Sequence, residues 1–229
     1  MTQSIDLYCE RVDPSFWSEP VNAVTNLAFI AVGLWMLRGP SFAGRVLGVI
    51  EVLVGLGSLA FHTFATPWAA ALDVGFIGVF ILAFAYVAPR SLWGFARPLS
   101  ALAAAVVLLL VLQMNALAQD LRESMGSFPP GFYVGAWMSL LVYGLITWLK
   151  ARYLASRWML TAAMIFPLSL SARELDGPLC TLFPLGTHWL WHLLNSVVLG
   201  LCAWSFHAQK RAESQSDSRD APAASTLAK

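Results

Sequence analysis

Charge is scarce in this chain. Asp, Glu, Lys and Arg make up 12% of its 229 residues, about half the share in a soluble domain. The formal net charge of +1 excludes a broadly basic nucleic-acid binder. Cysteine is scarce too. Cys9, Cys180 and Cys202 form no CxxC pair and no zinc-finger spacing, so any metal site must rest on histidine and carboxylate. The opening Met1–Pro20 lacks a basic stretch followed by an apolar run, so no cleaved signal peptide is expected. No internal repeat and no second soluble domain is visible. The polar residues do not run through both membrane halves, which argues against a cation transporter.

What is abundant is apolar. Hydrophobic residues reach 58% and the mean hydropathy is +0.66, which marks an integral membrane protein. A spanning helix needs roughly 20 apolar residues. Seven segments approach or meet this: Val21–Leu37, Ala43–Phe64, Ala69–Ala88, Leu99–Ala118, Gly131–Lys150, Trp158–Ala172 and Thr187–His207. The first and sixth are short. Arg38-Gly-Pro-Ser, Thr66-Pro67, Pro89-Arg90, the polar stretch Gln119–Pro130 and Asp176-Gly-Pro read as loops. The expected fold is therefore all-α, a polytopic seven-helix transmembrane bundle over residues 21–207. Residues 1–20 form an external N-terminal segment. Residues 208–229 read as a disordered tail, because they lack large apolar side chains apart from Leu227.

Basic residues set the expected orientation. With the N-terminus outside, the inner side holds Arg38, Arg45, Arg90, Arg97, Lys150, Arg152, Arg157, Lys210, Arg211, Arg219 and Lys229. Only Arg11, Arg122 and Arg173 lie outside. The positive-inside rule then gives N-out and C-in, which requires an odd number of spans.

This topology aligns three of the four histidines. His188 and His192 are four residues apart, so on a helix their imidazoles share one face. Segment two ends near His62, and segments three and seven begin at the same side with Asp73 and His188. His62, Asp73, His188 and His192 thus fall at one depth, near the outer leaflet. His207 falls at the inner end and reads as interfacial. Ser58 lies one turn from His62 on the same face, and Glu51 lies further along it as a packing anchor or cavity residue without a catalytic role. Three neutral imidazoles plus a water make an open zinc site. No glutamate stands between His188 and His192, unlike the H-E-x-x-H pattern, so Asp73 is the candidate base. Ser58 could donate to a developing oxyanion. The alternative is interhelical hydrogen bonding by the same side chains. At the N-terminus, Asp6, Glu10, Asp13 and Glu19 are either a hard-cation site of the calcium type or a solvated acidic head.

The patterns Asp6-Leu-Tyr-Cys9-Glu10 with Glu19-Pro-x-Asn22-x-x-Thr-Asn26, Ser58-x-x-x-His62 with Asp73, and His188-x-x-x-His192 resemble the alkaline ceramidases. Those belong to a superfamily of seven-span putative hydrolases that includes the adiponectin receptors. The resemblance runs from Asp6 to about Ser196. It implies a zinc amidohydrolase that cleaves the N-acyl bond of ceramide to a sphingoid base and a fatty acid. It assigns zinc to His62, His188 and His192, water activation or orientation to Asp73, and support of the metal or oxyanion to Ser58. It implies calcium at the N-terminal segment, with Asp6, Glu10, Asp13 and Glu19 as candidates. The gap between the two glutamates is shorter here than in the animal enzymes, and the Asp-to-Cys spacing is longer. The relation also permits a receptor-like protein with a structural metal, or a hydrolase of a different N-acyl lipid. The compact loops and the Ile5–Arg11 start resemble bacterial members, implying the cytoplasmic membrane. Cys9 and Cys180 share the outer side, as a disulfide or as two separate thiols.

Overall fold

A computed structural model describes residues 4–125 and 131–220. The described residues are helical, with no strand. The elements are α1 (Pro20–Thr25), α2 (Leu27–Met36), α3 (Phe42–Phe64), α4 (Pro67–Leu92), α5 (Arg97–Met125), α6 (Gly131–Leu149), α7 (Tyr153–Glu174), α8 (Asp176–Leu179) and α9 (His188–Asp220). Among the described residues, α3, α4, α5, α6, α7 and α9 are long and apolar enough to cross a membrane, and Pro20–Met36 is a shorter apolar stretch. The protein is therefore a multi-pass helical bundle.

Consecutive helices pack side by side from α2 to α7. The ring closes through α7 against α9 and α9 against α2, while α3 also touches α9. The windows of α3 and α9 are each 61% buried, against 17–44% for the other four. The two most enclosed helices are thus the two that carry the histidines. Contact between α2 and α3 is close because both faces are glycine. A Cβ on Gly33 would stand 2.6 Å from the Gly48 carbonyl oxygen, an approach that only small residues permit.

Several boundaries differ from the sequence reading. The first segment is split: α1 ends at Asn26, whose side-chain amide donates back to Asn22 O at 2.8 Å. The sixth segment is longer, because Arg157 lies over the Trp158 ring at 5.5 Å and does not end the helix. Helix α5 runs into the polar stretch as far as Met125, and residues 126–130 of that expected loop lie outside the described residues. Asp176-Gly-Pro is a short helix, not a loop. The tail read as disordered from Gln209 onward continues α9 to Asp220. Gln209–Asp220 contains no Gly or Pro, and Arg152 Nη1 donates to Glu213 Oε1 at 2.6 Å. Residues 221–229 lie outside the described residues. His207, read as interfacial, is wholly buried against Gly39 and Gly44, where its Nδ1 accepts from Ser41 N at 3.1 Å.

Residues 4–19 fold over the end of the bundle where α3 finishes and α9 begins. Ile5 N donates to Ala65 O at 2.7 Å. A disulfide joins Cys9 to Cys180, with Cα atoms 5.3 Å apart, which settles the two readings of those cysteines.

Candidate metal centre

The site grows from the start of α9. Asp176 is buried, and its Oδ1 accepts from Thr187 N at 2.7 Å and His188 N at 2.9 Å, while its Oδ2 accepts from Cys9 N at 2.9 Å. A carboxylate on the first amides of a helix both caps it and matches its dipole. Gly186 makes this possible: its φ is +62°, and a side chain there would strike Asp176 Oδ1. The cap fixes where α9 starts, and so where His188 and His192 point. Between them, Trp191 turns the other way and packs on Tyr133 and Phe166, with ring centroids 5.0 and 6.1 Å away.

His62 comes from the last turns of α3. Its ring centroid is 5.1 Å from that of His188 and 4.7 Å from that of His192, and the latter two are 4.6 Å apart. All three are at most 2% exposed. One nitrogen from each imidazole lies within 4.8 Å of the others, so the triad can hold one metal ion.

The hydrogen bonds on the far sides of the rings sharpen this. His62 Nδ1 meets Glu19 Oε2 at 2.5 Å, and its Nε2 has no partner. His192 Nδ1 meets Thr25 Oγ1 at 2.9 Å, and its Nε2 has no partner. The Thr25 hydroxyl has carbonyls to donate to, Val21 O at 2.9 Å and Asn22 O at 3.0 Å. It therefore accepts from His192, and a carboxylate can only accept from His62. Each ring can then donate from Nδ1, which in the neutral form leaves the lone pair on Nε2. This is the arrangement of metal-binding histidines, whose second nitrogen is held by an outer partner. His188 Nδ1 is likewise without a partner. A buried polar atom left unpaired costs about 1–3 kcal/mol, and three such nitrogens in one place fit the donor set of a metal ion.

Tyr8 closes the site from outside. Its ring stacks on His188 with centroids 3.6 Å apart and lies 5.3 Å from His62. Burial pushes its phenol well above the usual value, so it stays neutral. Arg173, paired with Glu174 at 2.7 Å and lying 5.2 Å over the Tyr133 ring, is near enough to act on that phenol. Asp73 is half-buried on α4, within electrostatic reach of His62 and beside the Ser58 hydroxyl. The histidines, Asp73 and Ser58 are thus gathered as expected.

The four acidic calcium candidates are not. Asp6 is exposed. The Glu10 oxygens accept from Val21 N at 2.6 Å and Asn22 N at 2.8 Å, capping α1. Asp13 is exposed and folded onto its own turn, where hydrogen bonds from Ser15 hold its carboxyl below the usual range. Glu19 is buried between His62 and Arg11, whose Nε donates to Glu19 Oε1 at 2.5 Å. Burial alone would raise the Glu19 carboxyl, but those two partners hold it below its usual range. Among the described residues these carboxylates form no metal-binding group. Cys9, Asp176 and Cys180 also cluster, but their sulfurs are joined to each other.

Reading the residues in sequence left several contributors unassigned: Tyr8, Arg11, Thr25, Asp176 and the true role of Glu19. Only Thr25 carried a local signal, standing one turn beyond Asn22 and Val21.

A narrow apolar slot of about 50 Å³ lies between α4, α5, α6, α7 and α9. Ile77, Tyr133 and Asn195 line its upper part, and Phe84, Tyr143 and Cys202 the lower. Asn195 follows His192 by three residues, so the slot leads away from the triad. Along α6, Tyr133 to Tyr143 covers about 15 Å.

No protein-family model matches this chain, and no curated protein matches it.

Proposed function

We propose that this protein is an intramembrane zinc-dependent amidohydrolase that cleaves the N-acyl bond of ceramide-like lipids. The observation that carries the reading is the convergence of three buried imidazoles, two of them with Nε2 free and Nδ1 held from behind. Three nitrogen ligands leave a fourth position open, which is the catalytic arrangement of zinc. Zinc bound there would polarise a carbonyl and bring the pKa of its water to about 7. His62, His188 and His192 would hold it.

The chain's own groups supply the rest. Asp73 accepts the proton of the attacking water and later passes it to the amide nitrogen. The water oxygen bonds to the carbonyl carbon, the C–N bond breaks, and a fatty acid and an amine result. Ser58, whose hydroxyl donates to Asp73 at rest, turns its one proton toward the oxyanion as that charge develops. The apolar walls of the slot match the chemistry of an acyl chain, which would part them on entry. Tyr8 and the disulfide-anchored segment keep bulk water from the triad.

The basic-residue distribution supports an N-out, C-in orientation. In a bacterial cytoplasmic membrane that puts the triad near the outer leaflet, level with the amide linkages of lipids.

The test is mass spectrometry of lipids released from a mixed N-acyl lipid pool by the purified protein. Fatty acid and sphingoid base should appear together with wild type and be absent with His188→Ala. Equal release by both proteins would refute the proposal.

A further inference from the structure

The N-terminal acidic segment already contains a cation. Arg11 follows Glu10 directly, and its side chain is 1% exposed. Its Nε donates to Glu19 Oε1 at 2.5 Å, its Nη1 to Asp13 O at 3.1 Å and Ser15 O at 3.3 Å, and its Nη2 to His62 O at 3.2 Å. One carboxylate oxygen and three backbone carbonyls, drawn from the N-terminal segment and the end of α3, therefore surround one positive charge. Mixed carboxylate and carbonyl oxygens are the donors a hard divalent cation takes.

The carboxylate oxygens of Glu10 and the second oxygen of Glu19 are spoken for. Glu19 Oε2 receives His62 Nδ1 and, at 3.3 Å, Asn22 Nδ2. Both Glu10 oxygens receive amides of α1. A divalent ion added beside Arg11 would find both buried glutamates engaged and would sit against a guanidinium that cannot lose its proton.

We infer that the Arg11 guanidinium is a built-in replacement for a bound divalent cation, so that the segment and the Glu19–His62 pair behind the metal triad are set without calcium. Arg11 is thus a positioning residue for His62. It acts through Glu19 and by tying the His62 carbonyl to the segment. Its fixed fork satisfies four oxygens at once, which a lysine could not do.

The test uses full-length protein, loaded with zinc and freed of calcium, in detergent. Calorimetric titration of wild type with calcium chloride should show no saturable binding, and calcium should not move its melting temperature. Saturable uptake with a raised melting temperature would overturn the inference, and this arm needs no variant. In the second arm, Arg11→Ala leaves Glu19 and the carbonyls without a counter-charge. It should melt lower and hold zinc about 10- to 100-fold more weakly, as losses behind a metal ligand do. Millimolar guanidinium or calcium should restore both properties in the variant and change neither in wild type. A folded Arg11→Ala protein that ignores every added cation, or that keeps wild-type zinc affinity, would also overturn it. Arg11→Lys retains the charge and should melt between the two without responding to calcium. The readouts are binding and melting, so an absence of amide hydrolysis would not bear on them.

Discussion

At the residue scale, the triad depends on side chains that never reach a ligand. Glu19→Gln exchanges one of two acceptor oxygens for a donor, so it cannot serve both His62 and Arg11, and it leaves Arg11 buried without its counter-ion. Breaking one partner of a buried pair costs about 3–5 kcal/mol, so this variant should melt far below wild type and hold metal weakly in competition with a chelator. Thr25→Val should be milder, about 1–3 kcal/mol, because it orphans one imidazole N–H. Asp73 behaves differently. Asp73→Asn should keep the metal and lose about 10²–10⁴ in kcat, the contribution of a positioned base. Direct metal analysis beside a rate measurement separates the two kinds of residue. Equal metal loss in Asp73→Asn and Glu19→Gln would contradict this division. The pair His188 and His192 was legible in sequence from its spacing alone. The partner of His62 was not, because Glu19 lies 43 residues upstream and its acidity pointed equally to solvent or calcium.

Among the elements, the N-terminal segment is the one whose stability is borrowed. It has no helix before α1, and it is held by the Cys9–Cys180 disulfide, the Asp176 carboxylate and the Arg11 contacts. The disulfide closes a sequence separation of 171 residues. Removing a native disulfide typically costs 2–5 kcal/mol. Cys180→Ser, or wild type under reductant, should therefore melt lower and take up metal-chelating dyes at the triad faster, since Tyr8, which stacks on His188, directly precedes Cys9. Unchanged melting under full reduction would show that Asp176 and Arg11 hold the segment alone. The helices themselves were well marked by hydropathy. Their ends were not: Arg157 stays within α7 by lying on Trp158, and α9 outruns its apolar stretch through polar residues that pair with one another and with Arg152. Charge signals a helix end only where no neighbour receives it.

For the whole molecule, α3 and α9 are the most deeply buried of the spanning helices and touch each other, so histidines that are remote in sequence meet within the bundle. Counting spans and placing each end on a side was enough to bring His62 to His188 and His192 in the sequence reading. The Arg11 network was beyond that count, since it depends on how sixteen described N-terminal residues fold back over the bundle. Metal binding by three imidazoles also fixes the direction of pH dependence. Metal binding requires deprotonated rings, whose ordinary pKa is about 6.5. Protons therefore compete with the metal, and occupancy should fall as pH drops below the neutral range and return on neutralisation.

The most direct measurement is amide hydrolysis of an N-acyl sphingoid lipid by the protein as purified, after removal of its metal, and after stepwise return of zinc. The rate should vanish on removal and recover in proportion to zinc, saturating at one ion per chain. Full hydrolysis by the metal-free protein would contradict the account.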